Sequence, residues 1–199
     1  MQTWLTEHWI EIFGTISGLL YIYFSIKQNI WLWIVGFLTS AAYIVVFYNS
    51  KFYADMSLQV YYLIISVYGL YFWLKGTDKD SSKEELPVTA TPRKTAIILT
   101  VVFVVLFILI GEILDKFTDS PVPWWDSFTT AASIVATWML ARKYIEQWLI
   151  WIVVDTVSLG LYIYKGLYFT SFLFLVYSIM AVVGYIQWKK SMQTTFSTT

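Results

Sequence analysis

The segment 148-WLIWIVVDTVSLGLY-162 places one carboxylate, that of Asp155, in the middle of a stretch apolar enough to lie in hydrocarbon. A charge at mid-bilayer costs about 2.5–3.5 kcal/mol on insertion scales, so such a residue almost always faces a cavity or a partner. At about 100° per residue, one face within roughly a quarter turn collects the polar and indole side chains, namely Trp148, Trp151, Asp155, Ser158 and Tyr162. The segment therefore predicts a membrane helix with one site-forming face.

The whole chain has the composition of an integral membrane protein. Its 199 residues are 58% hydrophobic and 13% charged, with a mean hydropathy of +0.64, whereas soluble domains are about a quarter charged. The absence of cysteine excludes disulfides and thiolate metal sites, and a single histidine excludes a His-rich metal cluster. Basic residues are not clustered, which gives no support to a nucleic-acid partner. We expect no cofactor, and the N-terminus lacks the pattern of a cleaved signal peptide.

Seven windows are long and apolar enough to span a bilayer, at roughly 9–26, 30–48, 56–74, 95–114, 125–141, 147–164 and 170–188. Lys and Arg follow odd-numbered windows ten times and even-numbered windows three times. The positive-inside rule therefore predicts an outer N-terminus and a cytoplasmic C-terminus. An odd number of spans gives the same orientation.

The chain contains an internal repeat. A shift of 115 positions aligns residues 14–75 with 129–190 without a gap. Trp33 then matches Trp148, Gly69 matches Gly184 and Trp73 matches Trp188. Each copy holds three helices, and because one further helix lies between them, the copies are predicted to be parallel about an axis along the membrane normal.

The predicted fold is an all-α integral membrane protein with seven transmembrane helices in a 3+1+3 arrangement. Its parts are a first three-helix repeat at 1–75, a cytoplasmic linker at 76–94, a linking transmembrane helix at 95–114, an extracytoplasmic loop and the start of the fifth helix at 115–128, a second three-helix repeat at 129–190 and a cytoplasmic tail at 191–199. Mixed charge with Ser, Thr and Pro marks the linker as solvated.

The scaffold is duplicated, but its polar chemistry is not. Trp151 corresponds to Gly36, Asp155 to Ser40 and Ser158 to Tyr43. This asymmetry suits one ligand held between unlike halves. No Lys or Arg is predicted at depth in any span, so a counterion for Asp155 would come from the ligand. The candidate substrate-binding residues are Trp148, Trp151, Asp155, Ser158, Gln59, Tyr62, Ser40 and Tyr177.

Other roles remain open for several of these residues. Asp155 can be a neutral or hydroxyl-bonded residue that holds the bundle together. Gln59 suits a ligand contact and an interhelical bond equally. Gly69 and Gly184 favour helix packing, and Trp73 and Trp188, near helix ends, favour interfacial anchoring.

The 3+1+3 repeat, the W-x-x-W at Trp148 and Trp151, and the segment 165-KGLYFTSFLFLVYSIMAVVGYIQWKK-190 resemble the PnuC family of bacterial vitamin transporters over nearly the whole chain. That family is similar in fold to the SWEET sugar transporters. The resemblance implies uptake of nicotinamide riboside across the inner membrane by facilitated diffusion, as a homotrimer, with trapping by cytoplasmic phosphorylation. It also implies that Trp148 and Trp151 stack on the substrate ring. The family commonly has asparagine where Asp155 stands, and relatives carry thiamine, which is the alternative substrate.

Both vitamins present a flat cationic ring, which indole faces attract by about 0.5–2 kcal/mol. The chain has no Walker motif, so we expect alternating access without ATP coupling, by rocking of one repeat against the other. A membrane enzyme acting on lipid-like substrates is a remote alternative, because it would need a metal-binding acid pair or an activated nucleophile. The expected partners are the lipid bilayer and a small cationic vitamin.

Overall fold

The computed structural model describes residues 2–49, 53–76 and 86–197 of the chain. Within these ranges the chain folds into seven helices, which confirms the predicted all-α fold. They are α1 (Gln2–Ile26), α2 (Trp31–Asn49), α3 (Tyr53–Lys75), α4 (Arg93–Phe117), α5 (Pro123–Ala141), α6 (Gln147–Tyr164) and α7 (Tyr168–Ser197). Positions 77–85 of the predicted linker and 198–199 of the predicted tail lie outside the described residues.

Five segments of the described chain are long and apolar enough to cross a membrane, namely Trp31–Asn49, Met56–Lys75, Arg93–Phe117, Gln147–Tyr164 and Tyr168–Thr194. The apolar part of α1, Ile12–Ile26, is shorter. Helix α5 falls outside this group because it carries polar residues such as Ser127 and Thr137, both of which are buried. A helix enclosed by protein needs no apolar side chain on those faces. The chain is a multi-pass membrane protein.

The chain divides into two compact units, residues 1–86 and 87–199. In the first unit, α2 packs against both α1 and α3. In the second unit, α4 packs on α5, α5 on α6 and α6 on α7. The second helix of each copy, α2 or α6, is therefore the one that contacts both of its repeat neighbours.

Backbone conformation at the turn before the second helix of each copy follows the same shift of 115 positions. In the described residues, the non-glycine positions with positive φ are Gln28 at 53° and Lys143 at 52°, which the same shift of 115 relates. One residue later, the N–H of Asn29 donates to the Phe24 carbonyl at 2.9 Å, and that of Tyr144 donates to the Met139 carbonyl at 3.0 Å. Because left-handed backbone is uncommon outside glycine, this shared turn supports a common origin of the two copies.

The end of the predicted linker is docked rather than solvated. Residues 87–91, which we call the strap, follow the turn between α5 and α6. Val88 is buried, the N–H of Thr89 donates to the Lys143 carbonyl at 3.1 Å, and the Thr89 carbonyl accepts from Ile145 N–H at 3.0 Å. The Glu146 carboxylate accepts from the N–H and Oγ1 of Thr91, at 2.9 and 2.6 Å. The sequence analysis did not predict this short packed segment, because the linker as a whole is polar.

Candidate functional site

Two matched tryptophan pairs form the scaffold behind the site. Trp148 lies edge-on to Trp188 with 5.6 Å between ring centroids and 86° between planes, and Trp33 lies edge-on to Trp73 at 5.6 Å and 88°. All four indoles are buried. The prediction that Trp73 and Trp188 anchor the protein at the interface is therefore wrong, since both rings are used in helix packing.

The paired glycines explain how the indoles fit. A Cβ built on Gly184 would lie 2.6 Å from ring carbons of Trp148, and one built on Gly69 would collide with the ring of Trp33. The packing role predicted for both glycines is confirmed. Trp148, a predicted ligand residue, is only 2% exposed and fills the same place as its counterpart Trp33.

The polar face of α6 points away from the membrane-facing side of that helix. Asp155 and Ser158 are 4% and 6% exposed, whereas Leu149 and Val153 on the other side are 45% and 49% exposed. Trp151 is half-buried. Across residues 2–49, 53–76 and 86–197, no hydrogen bond or ion pair reaches the Asp155 carboxylate. The structure thus brings Trp151, Asp155 and Ser158 together on one protected face, with the carboxylate uncompensated.

Aromatic residues of α6 and α7 extend this face. Tyr162 stacks on Phe174 with 5.0 Å between centroids and 28° between planes. Phe174 in turn meets Tyr177 edge-on at 5.7 Å and 80°. Tyr177, predicted from its place on α7, is therefore linked through Phe174 to the face that carries Asp155.

The remaining predicted residues belong to the first unit. Ser40 on α2 is buried, and Gln59 and Tyr62 on α3 are half-buried. Ser66, one turn after Tyr62, donates from Oγ to the Tyr62 carbonyl at 2.7 Å. Their contribution to one site with Asp155 stays a prediction.

Large and small residues are exchanged between the copies around Trp151. Gly36 is the counterpart of Trp151 in the first copy. A Cβ built on Gly36 would lie 3.0 Å from a ring carbon of Tyr21 and 3.0 Å from Ser66 Oγ. The counterpart of Tyr21 is Ala136, which has 0% exposure. The first copy thus pairs a tyrosine on α1 with a glycine on α2, and the second copy pairs an alanine on α5 with a tryptophan on α6.

A second exchange removes a ring beside Asp155. In the first copy, Tyr43 reaches α1, where its hydroxyl donates to the Ile10 carbonyl at 3.3 Å and its ring lies 6.3 Å from that of Phe13. In the second copy, the counterpart of Tyr43 is Ser158, one turn from Asp155. The second copy therefore places a short hydroxyl, rather than a ring, next to its carboxylate.

Gln147 is a polar residue that the sequence prediction missed. It has 0% exposure, and in the described structure neither its Nε2 nor its Oε1 has a hydrogen-bond partner. It precedes Trp148 and continues the polar face of α6 by one position at helical spacing. Its counterpart is Leu32, equally buried. Comparing the two copies at this position would have shown an amide in place of a leucine.

A cation near α6 is buried, but it lies in a turn and not at depth in a span. Lys143, in the turn before α6, is 3% exposed because the strap covers that turn. It does not neutralise Asp155, since the eight helical steps from Gln147 to Asp155 alone rise about 12 Å. Among the side chains that the structure describes, no three His, Asp or Glu residues gather as metal ligands would.

A duplicated three-helix scaffold in the membrane, with an unpaired carboxylate and an indole on one protected face, is the arrangement expected of a membrane transporter. The comparisons agree with that class. Residues 8–190 match the family described as nicotinamide mononucleotide transporter, and the chain belongs to this family. It is therefore a transporter and not an enzyme.

Individual relatives are similar over almost the full length. The nicotinamide riboside transporter PnuC of Escherichia coli (strain K12) is 25% identical over 205 residues, covering 92% of this chain and 86% of that protein. The riboflavin/roseoflavin transporter RibM of Streptomyces davaonensis is 27% identical over 182 residues, covering 90% and 84%. The crystal structure of the vitamin B3 transporter PnuC superposes with a TM-score of 0.73 at 24% identity, over 96% of this chain and 85% of that one. The resemblance to PnuC is confirmed, and the solved structure supports the fold.

Proposed function

We propose that this chain takes up nicotinamide riboside across the bacterial inner membrane by facilitated diffusion. Alternating access would expose the site to each side in turn, and cytoplasmic phosphorylation would then trap the substrate. Similarity to nicotinamide riboside transporters over most of the chain supports the substrate class. The positive-inside distribution supports an outer N-terminus and a cytoplasmic C-terminus. A homotrimer remains part of this proposal through the family resemblance alone.

The observation that carries the proposal is the unpaired, buried carboxylate of Asp155 beside Trp151. Both are absent from the first copy, which has Ser40 and Gly36 at these positions. A buried charge without a partner is costly, and a cationic ligand removes that cost when it binds. Nicotinamide riboside carries its positive charge in a flat ring, which an indole face attracts.

Each candidate residue has a role in this proposal. Trp151 stacks on the pyridinium ring, Asp155 offsets its charge, and Ser158 meets a hydroxyl or the carboxamide. Trp148 supports this face from behind rather than lying against the ligand, because its indole is packed on Gly184. Hydrogen bonds to the ribose and amide groups are assigned to Ser40, Gln59, Tyr62 and Tyr177.

The charge pattern favours a nucleoside over a nucleotide. Residues 147–162, which carry the polar face of α6, include no Lys or Arg. A phosphate in this region would meet the Asp155 carboxylate without a compensating cation, and like charges raise the cost of binding. We therefore expect discrimination against nicotinamide mononucleotide.

A flavin is a second candidate, because RibM is similar over 90% of this chain. The isoalloxazine ring is neutral, so it gives Asp155 no opposite charge and is the less favoured substrate. Thiamine, whose thiazolium ring is cationic, remains the alternative substrate within the predicted chemistry.

Uptake into proteoliposomes tests the proposal. Radiolabelled nicotinamide riboside, nicotinamide mononucleotide, thiamine and riboflavin are offered separately, with and without an enclosed kinase and ATP. We expect nicotinamide riboside to equilibrate without the kinase and to accumulate with it, while the mononucleotide does not enter. Faster uptake of thiamine or riboflavin would show that the proposed substrate is wrong. Accumulation without a kinase would exclude facilitated diffusion.

A further inference from the structure

A concave surface lies on the face of α6 opposite to Asp155. It is an open cavity of about 650 Å³ bordered by α4, α5 and α6. Its walls are mostly apolar and include Leu99, Phe103, Val135, Leu149, Ile150 and Val153. Because Leu149 and Val153 belong to the exposed side of α6, the cavity faces the surroundings of the second unit. We call it the α4–α6 groove.

The polar groups in the groove are few and largely satisfied. Glu146 is the only charged residue in the lining, and its carboxylate already accepts two hydrogen bonds from Thr91. Thr100 donates from Oγ1 to the Ala96 carbonyl at 2.9 Å. The walls therefore suit hydrocarbon better than a polar solute, because they offer few unsatisfied partners for hydrogen bonds.

Two cations stand at one end of the groove. Arg93, Ala96, Thr100 and Phe103 follow one another at helical spacing along the same stripe of α4, and the last three line the groove. Arg93 and Lys94 are exposed in the first turn of α4, and within the described residues neither forms an ion pair. The first turn of a helix is unfavourable for cations, so both would gain from an external anion.

We propose that the α4–α6 groove binds an acidic phospholipid. An acyl chain lies against the apolar wall, and the headgroup phosphate lies at Arg93 and Lys94. Apolar walls alone accept any hydrocarbon chain, but two cations at one end select an acidic amphiphile. By the positive-inside rule this end faces the cytoplasm, so the lipid belongs to the cytoplasmic leaflet. The groove does not overlap the Asp155 face, because the two lie on opposite sides of α6.

Native mass spectrometry of the full chain in detergent tests this site. The protein is titrated with phosphatidylglycerol and, separately, with zwitterionic phosphatidylcholine of the same chain length. We expect tighter binding of phosphatidylglycerol, reduced by about fivefold for each cation removed in Arg93→Gln and Lys94→Gln. Lys116→Gln, at the other end of α4 and already paired with Glu112, is the matched control and should bind as the parent does.

Variants that fill the groove test the role of its apolar walls separately from that of Arg93 and Lys94. Ala96→Trp on α4 and Leu149→Trp on α6 place an indole in the groove from exposed positions. Both should lose phosphatidylglycerol while keeping the melting temperature of the parent. Equal affinity for the two lipids in the parent, or unchanged lipid binding in both Trp variants, would overturn the proposal. A change in oligomeric mass in both variants with lipid binding unchanged would assign the groove to contacts between copies of the chain instead.

Discussion

The indole of Trp148 occupies the space that Gly184 leaves open, at a distance where a Cβ on that glycine would come within 2.6 Å of the ring. Trp33 and Gly69 repeat this contact in the first copy. The pair fixes how closely α6 can approach α7, because a ring in contact with backbone sets the interhelical spacing.

Gly184→Ala should therefore destabilise the protein. The added methyl meets a ring held by Trp188, and overpacking of this kind costs about 1–3 kcal/mol. Thermal melting in detergent measures the effect. Gly160→Ala on α6 is the matched control, since a Cβ there meets nothing within 4 Å, and it should be neutral or stabilising. Equal melting temperatures for the two variants would contradict the packing role.

Trp148 and Trp151 should separate into a packing residue and a ligand residue. Trp148→Ala removes a buried ring and is expected to lower the free energy of unfolding by about 3–5 kcal/mol. Trp151→Ala, at a half-buried position, should cost less stability but abolish ligand-dependent tryptophan quenching. Fluorescence titration and melting on the same samples distinguish them. Quenching that survives in Trp151→Ala but not in Trp73→Ala would move the site away from α6.

Asp155→Asn keeps the size of the side chain and removes its charge. Binding of nicotinamide riboside should weaken by about 2 kcal/mol, roughly thirtyfold. Binding of a neutral isostere, in which the ring nitrogen is replaced by carbon, should change little. Calorimetric titration with both compounds provides the comparison. Equal losses for the two ligands would assign Asp155 a structural role.

Gln147→Leu gives the second copy the residue of the first. Because it removes a buried amide that has no partner in the described chain, it should raise the free energy of unfolding by about 1–3 kcal/mol. The melting temperature should rise accordingly. We also expect slower uptake, because a buried amide without a partner in this state is free to bind one in another state of the transport cycle. The reciprocal Leu32→Gln should destabilise. A less stable Gln147→Leu would show that the amide is already satisfied.

The sequence was sufficient for those parts of the fold that depend on periodicity and rare residues. Tryptophan and glycine positions set the shift of 115, and the same shift relates the left-handed Gln28 and Lys143. Residue type alone did not predict which aromatic side chains are buried. The indoles of Trp73 and Trp188 suited the interface by composition, yet both are packed inside.

The candidate site was predicted in part for the same reason. A carboxylate in an apolar helix is conspicuous, so Asp155 and its face were found. Gln147 was not, because an amide at a helix start is ordinary in sequence and becomes unusual only when it is fully enclosed. Likewise, the strap was not predicted because it lies in a polar stretch, and four hydrogen bonds and one buried valine determine its position.

The exchange of Tyr21 and Gly36 in one copy for Ala136 and Trp151 in the other limits the order in which mutations can accumulate. Introducing tryptophan at Gly36 while Tyr21 remains would force two rings into one volume, and truncating Tyr21 first would leave a void. We expect each single replacement to destabilise the first copy and the two together to cost less than their sum. We therefore expect a chimera that swaps one helix between the copies to fold less well than one that swaps the helix pair.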